Sequence, residues 1–265
     1  MSTIPLATRR ARGAELLPRR RSRYERLRVR LSDGASTTLH VAGYRRDCYL
    51  PRIVALERPL PLVRWCAEHQ VRDAVVGGFF ARPQYAPLGH LRVAGVQLAS
   101  VAFASPWGEI RGCLQVLDGV ARIARLPELG GEPRGDLLQA GPVLVADGQR
   151  VVCDELDPEG FSAGAAQFDS DITRGRYPRA ALAITPDRLL AVACDGRTPH
   201  DAGMTLSELA DALVELGAVA ALNLDGGGSA SLVYRGRLRN RPREEHGVDI
   251  LGGRPVVSAI AFARH

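Results

Sequence analysis

The chain has 265 residues and 35 cationic side chains, all of them arginine. Without lysine there is no amine for Schiff-base or pyridoxal chemistry, and the fixed lysines of Walker-type NTPases, protein kinases and Ser-x-x-Lys acylases are absent. The formal net charge of +6 belongs to one segment: residues 1–30 carry ten Arg against two Glu, a net of +8, whereas residues 31–265 carry 25 Arg against 27 acids, a net of −2.

In chain order, residues 1–30 read as an arginine-rich tail broken by Pro5, Gly13 and Pro18. Such a composition buries no core and predicts a flexible segment whose removal through residue 25 leaves small-molecule catalysis intact. No apolar stretch follows its arginines, so no secretory signal is expected, and no run reaches the ~18–20 apolar residues that span a bilayer. The near-neutral body makes nucleic acid an unexpected partner. Cys48, Cys66, Cys113, Cys153 and Cys194 are widely spaced with no Cys-x-x-Cys pair, which predicts reduced thiols in a cytoplasmic protein.

Residues 31–265 suit one domain. Residues 60–70 read as a helix and 71–76 as a buried strand ending on Gly77-Gly78. Turn pairs predict hairpins at Asp118-Gly119, Asp147-Gly148, Pro186-Asp187 and Arg235-Gly236. The clearest helix is 205–216, with Thr205 and Glu208 as a capping box, an apolar face of Leu206, Leu209, Ala210, Leu213 and Leu216, and Gly217 as its stop. A buried strand at 219–224 follows. The expected fold class is α+β: a strand-rich mixed sheet with several hairpins and a few flanking helices.

The most informative segment is Asn223-Leu224-Asp225-Gly226-Gly227-Gly228-Ser229. Three glycines after a buried strand leave backbone N–H groups open to an anion or a sugar hydroxyl, with a carboxylate and a hydroxyl beside them. The plainer reading is a tight turn capped by Asp225. Gly77-Gly78-Phe79-Phe80 allows close backbone approach, and its phenylalanines stack on a sugar or fill the core. Arg179, in Tyr177-Pro178-Arg179, and Arg197, in Asp195-Gly196-Arg197, are suited to phosphate by the guanidinium fork, or to a salt bridge with a neighbouring acid. His200 reads as an exposed loop residue. Arginines 235, 237, 239, 241 and 243 alternate along what reads as a solvated edge. No metal-ligand spacing occurs among the six histidines, and no cofactor is expected.

In order, these pieces resemble the phosphodiester glycosidase family, through 75–80, 139–148, 177–197, 203–231 and 254–260. The resemblance implies hydrolysis of a sugar 1-phosphodiester at its glycosidic bond, releasing the sugar and a phosphomonoester. It implies a site of Gly77, Gly78, Arg179, Asp195, Arg197, Asn223 and Asp225 to Ser229. Asp225 is the first choice for the carboxylate at the anomeric carbon and Asp195 the second, with the arginines and the backbone of Gly226, Gly227 and Gly228 on the phosphate. Three positions depart from the family pattern: Val76 stands where Asn is usual, Ala180 where Thr is usual, and Ala183 where Gly is usual. Those departures motivate a second hypothesis, a non-catalytic glycan or phosphosugar binder. In a third, Asp195 and Asp225 hold a divalent cation and the P–O bond breaks.

Overall fold

The computed structural model describes residues 3–5, 21–130, 133–153, 156–161 and 174–265. Its centre is an eight-stranded sheet in the order Thr3–Pro5, Ser22–Arg30, Ser36–Arg45, Arg188–Cys194, Arg179–Ile184, Ala220–Asn223, Val143–Ala146, Gln149–Arg150. Every pairing in it is antiparallel except that of Thr3–Pro5 with Ser22–Arg30. The sheet is therefore mixed at one edge only, and the chain is more strand-dominated than a balanced α+β reading implies.

Period-two alternation assigns the two faces. On Arg179–Ile184, Ala180, Leu182 and Ile184 join one apolar cluster while Ala181 and Ala183 join the other. The second cluster is closed by helix α2, introduced below, and the first by two smaller antiparallel sheets. One runs Val120–Arg125, Gly112–Leu117, Asp136–Gln139, Leu91–Val93, Val96–Gln97, and the other Arg237–Leu238, Leu232–Tyr234, Ala74–Val76, Pro255–Arg264, Tyr49–Pro61.

Helix α1 spans Leu62–Glu68, shorter than the expected 60–70, because Leu60 and Pro61 complete the strand Tyr49–Pro61. Helix α2 spans Leu206–Glu215: Thr205 accepts the Glu208 N–H, the Glu208 carboxylate accepts the Thr205 N–H, and Leu206, Leu209, Ala210 and Leu213 are buried. The strand expected at 219–224 is Ala220–Asn223. Three of the predicted turns are left-handed pairs, with φ of 50° and 78° at Asp118-Gly119, 50° and 74° at Asp147-Gly148, and 54° and 74° at Arg235-Gly236. That geometry matches strand twist in a two-residue hairpin.

Ser22–Arg30 lies inside the segment expected as a tail. It pairs with Ser36–Arg45 at nine successive positions and buries Leu27 and Val29. Its arginines alternate with those apolar residues, and Arg28 bonds Asp201 Oδ1 at 2.7 Å. Averaged charge hid an amphipathic strand next to the sheet edge. Residues 1, 2 and 6–20 of the expected tail lie outside the described residues.

Candidate active site

Asp225 follows the strand Ala220–Asn223, at the head of the glycine loop. Its N–H donates to the Gly77 carbonyl at 3.0 Å, so the two glycine motifs meet through the backbone. Gly77 is obligatory here: a Cβ would lie 2.4 Å from Ser258 Oγ and 2.8 Å from the Ser258 carbonyl carbon. The Ser258 hydroxyl accepts the Gly78 N–H at 3.1 Å.

Gly226, Gly227 and Gly228 run past the wall formed by Tyr177-Pro178-Arg179. The Gly227 N–H donates to the Pro178 carbonyl at 2.8 Å, and Gly227 holds φ +58°. Arg197, itself at φ +63°, brings its guanidinium to 3.5 Å from where a Gly227 Cβ would stand. The guanidinium carbons of Arg179 and Arg197 each lie 5.6 Å from the centre of the Tyr177 ring. The sequence-predicted Asp225, Gly77, Gly78, Arg179, Arg197 and glycine loop are thus one neighbourhood.

Within it the roles differ. Arg179 is buried, with Nε donating to the Met204 carbonyl at 2.6 Å and Nη2 to the Gly175 carbonyl at 3.2 Å. It braces the wall. Arg197 is partly exposed, and its one close bond is from Nη1 to the Arg243 carbonyl at 2.8 Å. Asp195 is 2% exposed, and each carboxylate oxygen has a partner: Oδ2 lies 3.0 Å from His40 Nε2, and Oδ1 accepts the Arg241 N–H at 2.7 Å. His40 Nδ1 is in turn 2.7 Å from the Tyr24 hydroxyl. This buried chain ties the Asp195-Gly196-Arg197 turn to the strand Ser22–Arg30.

Asp225 has a different environment. Its Oδ1 accepts the Gly226 N–H at 2.9 Å. Burial pushes its carboxyl up to about 6, against the opposing influence of the Ser229 hydroxyl and the Arg254 charge. The Ser229 hydroxyl is buried and faces the Asp225 carboxyl, and Asn223 Oδ1 and Ser231 Oγ are buried without a hydrogen-bond partner among the described residues. The Asn223 amide nitrogen is spent on the Gly141 carbonyl at 2.9 Å. Buried polar atoms without partners are unusual in folded proteins, and here they cluster around one loop.

Two functional candidates escaped the sequence. Arg254 donates its backbone N–H to the Gly228 carbonyl at 2.9 Å and its Nε to Glu244 Oε1 at 2.9 Å. Its Nη2 bonds the same oxygen. Burial raises the Glu244 carboxyl, but the hydrogen bonds and charge of Arg254 outweigh that and hold it below the ordinary glutamate range. Arg82 acts on both carboxyls. In the sequence only the resemblance through 254–260 touched this segment, and its charged side chains carry no chemical signature of their own.

Other expectations resolve structurally. Phe79 lies 5.7 Å from Phe161 in a tilted pair, and Phe80 stacks on Tyr85 at 5.3 Å, so both fill the core. Val76 and Ala180 are fully buried in the same apolar cluster. His200 is exposed and offers its carbonyl to Arg28. The arginine alternation breaks: Arg239 sits over Tyr24 and Tyr234 and Arg243 is buried, whereas Arg235, Arg237 and Arg241 are exposed. Among the described residues no group of three or more His, Cys, Asp or Glu side chains converges as a metal site, and no helix is long and apolar enough to cross a membrane.

The profile of the phosphodiester glycosidase family matches residues 69–263. The human N-acetylglucosamine-1-phosphodiester α-N-acetylglucosaminidase is 33% identical over 111 residues, which is 41% of this chain and 20% of that protein. The mouse protein of the same name is 31% identical over 108 residues, again 41% and 20%. The match therefore spans about one fifth of those relatives. Among solved structures, the zebrafish catalytic domain of that name, auto-inhibited by its pro-peptide, superimposes with a TM-score of 0.70 at 18% identity, covering 92% of this chain and 83% of that one. A hypothetical protein from Synechocystis gives 0.65 at 19% identity, covering 92% and 62%. These two establish likeness of fold.

Proposed function

The chain belongs to the phosphodiester glycosidase family, and we propose that it hydrolyses the glycosidic bond of a sugar 1-phosphodiester, with Asp225 as the base. The observation that carries this reading is one desolvated carboxyl set beside arginines at the head of a single glycine loop. A carboxylate titrating near 6 is mostly ionised at neutral pH yet basic enough to take a proton from water, which is where a general base works best. Water attacks the anomeric carbon and gives its proton to Asp225. The C1–O bond breaks with its electron pair going to the phosphate oxygen. A phosphomonoester leaves readily without prior protonation, and Arg197 and Arg254 meet the charge it acquires.

Asp195 has a positioning role in this scheme. Its oxygens hold His40 and the Arg241 backbone, and through them the turn that carries Arg197. Arg179 likewise shapes the wall. The likeness to the human and mouse relatives motivates an N-acetylglucosamine 1-phosphodiester as the first substrate to try. We place the reaction in the cytoplasm, a reading drawn from the five free thiols and open to cell fractionation.

Purified protein is incubated with a panel of sugar 1-phosphodiesters and free sugar is measured. Release by the wild type and a loss of at least about a hundredfold in Asp225→Asn are expected. Saturable binding with no release from any member of the panel would leave a phosphosugar-binding protein instead.

A further inference from the structure

We propose that Glu244 makes this site select a singly charged phosphodiester over a doubly charged phosphomonoester. The inference rests on the reading of the glycine loop as a phosphate site. Glu244 lies on the segment 243–254, which is pinned at one end to the Asp195-Gly196-Arg197 turn and at the other to the glycine loop. Arg243 donates Nη1 to the Gly196 carbonyl at 3.1 Å, and the Arg254 N–H reaches the Gly228 carbonyl at 2.9 Å. Between them the Glu244 N–H donates to the Val248 carbonyl at 2.9 Å and the Ile250 N–H to the Pro242 carbonyl at 3.0 Å. The carboxylate is thereby fixed in place.

Its position is among the cations. Oε1 accepts from Arg254 Nε and Nη2, and Oε2 is 4.0 Å from Arg197 Nη1. A Cβ on Gly228 would stand 2.9 Å from Oε1, so the carboxylate borders the same backbone that faces the ligand. The Glu244 side chain is 37% exposed, within reach of a bound anion. Arg82, Arg197 and Arg254 act on this carboxylate, and with Asp225 ionised the three cations face two anions.

One negative charge on the ligand balances that set. A second negative charge meets Glu244 with those three cations already balanced. Like charges at close range disfavour each other even where solvent screens them. The same effect acts on the product: cleavage at C1–O turns a diester monoanion into a monoester that ionises further, and Glu244 then favours its release. Sugar 1-phosphates and inorganic phosphate, both dianions, are weak ligands for the same reason.

The test is Glu244→Gln, with Glu244→Ala as a second variant that removes the charge from a loop side chain, and Glu244→Asp as the charge-keeping control. Two readouts are compared at about pH 8, where phosphate is chiefly a dianion: the kcat/KM ratio for a methyl sugar 1-phosphodiester against the matching sugar 1-phosphate, and the Kd of inorganic phosphate by calorimetry. Gln and Ala are expected to shift the ratio toward the monoester and to tighten phosphate by at least about fivefold. That is the weight of one unit charge at ~4 Å even at the dielectric of water. Asp is expected to keep both values near wild type. An unchanged phosphate Kd in Gln and Ala overturns the proposal, as does an equal fall of kcat/KM on both substrates, which would mark Glu244 as part of the chemistry. Phosphate binding needs no turnover: tighter binding in Gln beside a wild type that cleaves no diester would sustain the charge filter while defeating the glycosidase reading.

Discussion

Two aspartates compete for the catalytic role, and opposite effects on stability separate them. Asp195→Ala removes the acceptor from two buried donors or ring nitrogens, the Arg241 N–H and His40 Nε2. A buried polar group left unpaired costs ~1–3 kcal/mol, so the pair costs about 2–6 kcal/mol. At about 2–4 °C per kcal/mol for a domain of this size, Tm falls by roughly 4–24 °C. Asp195→Asn recovers most of this, because its amide oxygen still accepts from Arg241 and its amide nitrogen donates to the other tautomer of His40. Asp225→Asn acts in the other direction. The carboxyl's folded value of about 6 lies above its ordinary 3.8, so the folded state holds a proton that the unfolded state releases between those limits. The ionised form therefore destabilises the fold, with no effect below about pH 4 and its full effect above about pH 6. At 1.36 kcal/mol per unit that penalty reaches about 3 kcal/mol. Asp225→Asn should raise Tm at about pH 8 by up to roughly 6–12 °C, leave it unchanged at about pH 4, and abolish sugar release. Thermal melts at both pH values, paired with the release assay, check each arm. The assignment fails if Asp225→Asn lowers Tm at about pH 8, or if Asp195→Ala loses all activity with its Tm intact.

Three further outcomes follow from the same geometry. As Asp225 takes up its proton, kcat/KM should fall about tenfold per unit below about pH 6, and a profile flat to about pH 5 would remove Asp225 as the base. Deleting residues 1–20 takes the three-residue edge strand Thr3–Pro5 and should leave activity unchanged with only a small fall in Tm, whereas deleting 1–25 also takes Tyr24 from His40 and the first four pairs from Ser22–Arg30. The second deletion should lower Tm by roughly 2–12 °C, from ~1–3 kcal/mol, as read by calorimetry. Gly77→Ala forces a methyl against Ser258 and displaces the carbonyl that holds Asp225 N–H, so kinetics on the folded variant should show at least about a tenfold loss in kcat.

How much of this was readable in advance depends on the range of the interaction. Helix α2 was legible because its capping box, apolar face and Gly217 stop are all local, and three hairpins because a turn pair fixes its own backbone. The glycine loop was legible for the same reason. The two roles of aspartate were not. Asp195-Gly196-Arg197 and Asp225-Gly226-Gly227 look alike as strings, and what distinguishes them is a histidine 155 residues earlier in the chain. Glu244 and Arg254 were hidden too, since their pairing depends on a loop whose register only the fold sets. The N-terminal boundary was misplaced because charge was summed along a segment in which charge and hydrophobicity alternate.

The placement of Asp225 joins stability to chemistry. The strand that leads to it has apolar cluster on both sides, through Leu222 on one face and Ala221 on the other. Such a frame tolerates groups that would destabilise a weaker element, and several sit here: a desolvated carboxyl facing Ser229, and buried oxygens on Asn223 and Ser231 with no hydrogen-bond partner among the described residues. Each of those is unfavourable for folding by itself. Concentrated at one strand end beside the glycine loop, they are donors and acceptors already desolvated, and a ligand that completes their bonds need not first displace water from them. The folding penalty of this loop and its capacity to bind and act on a polar substrate are therefore the same physical property.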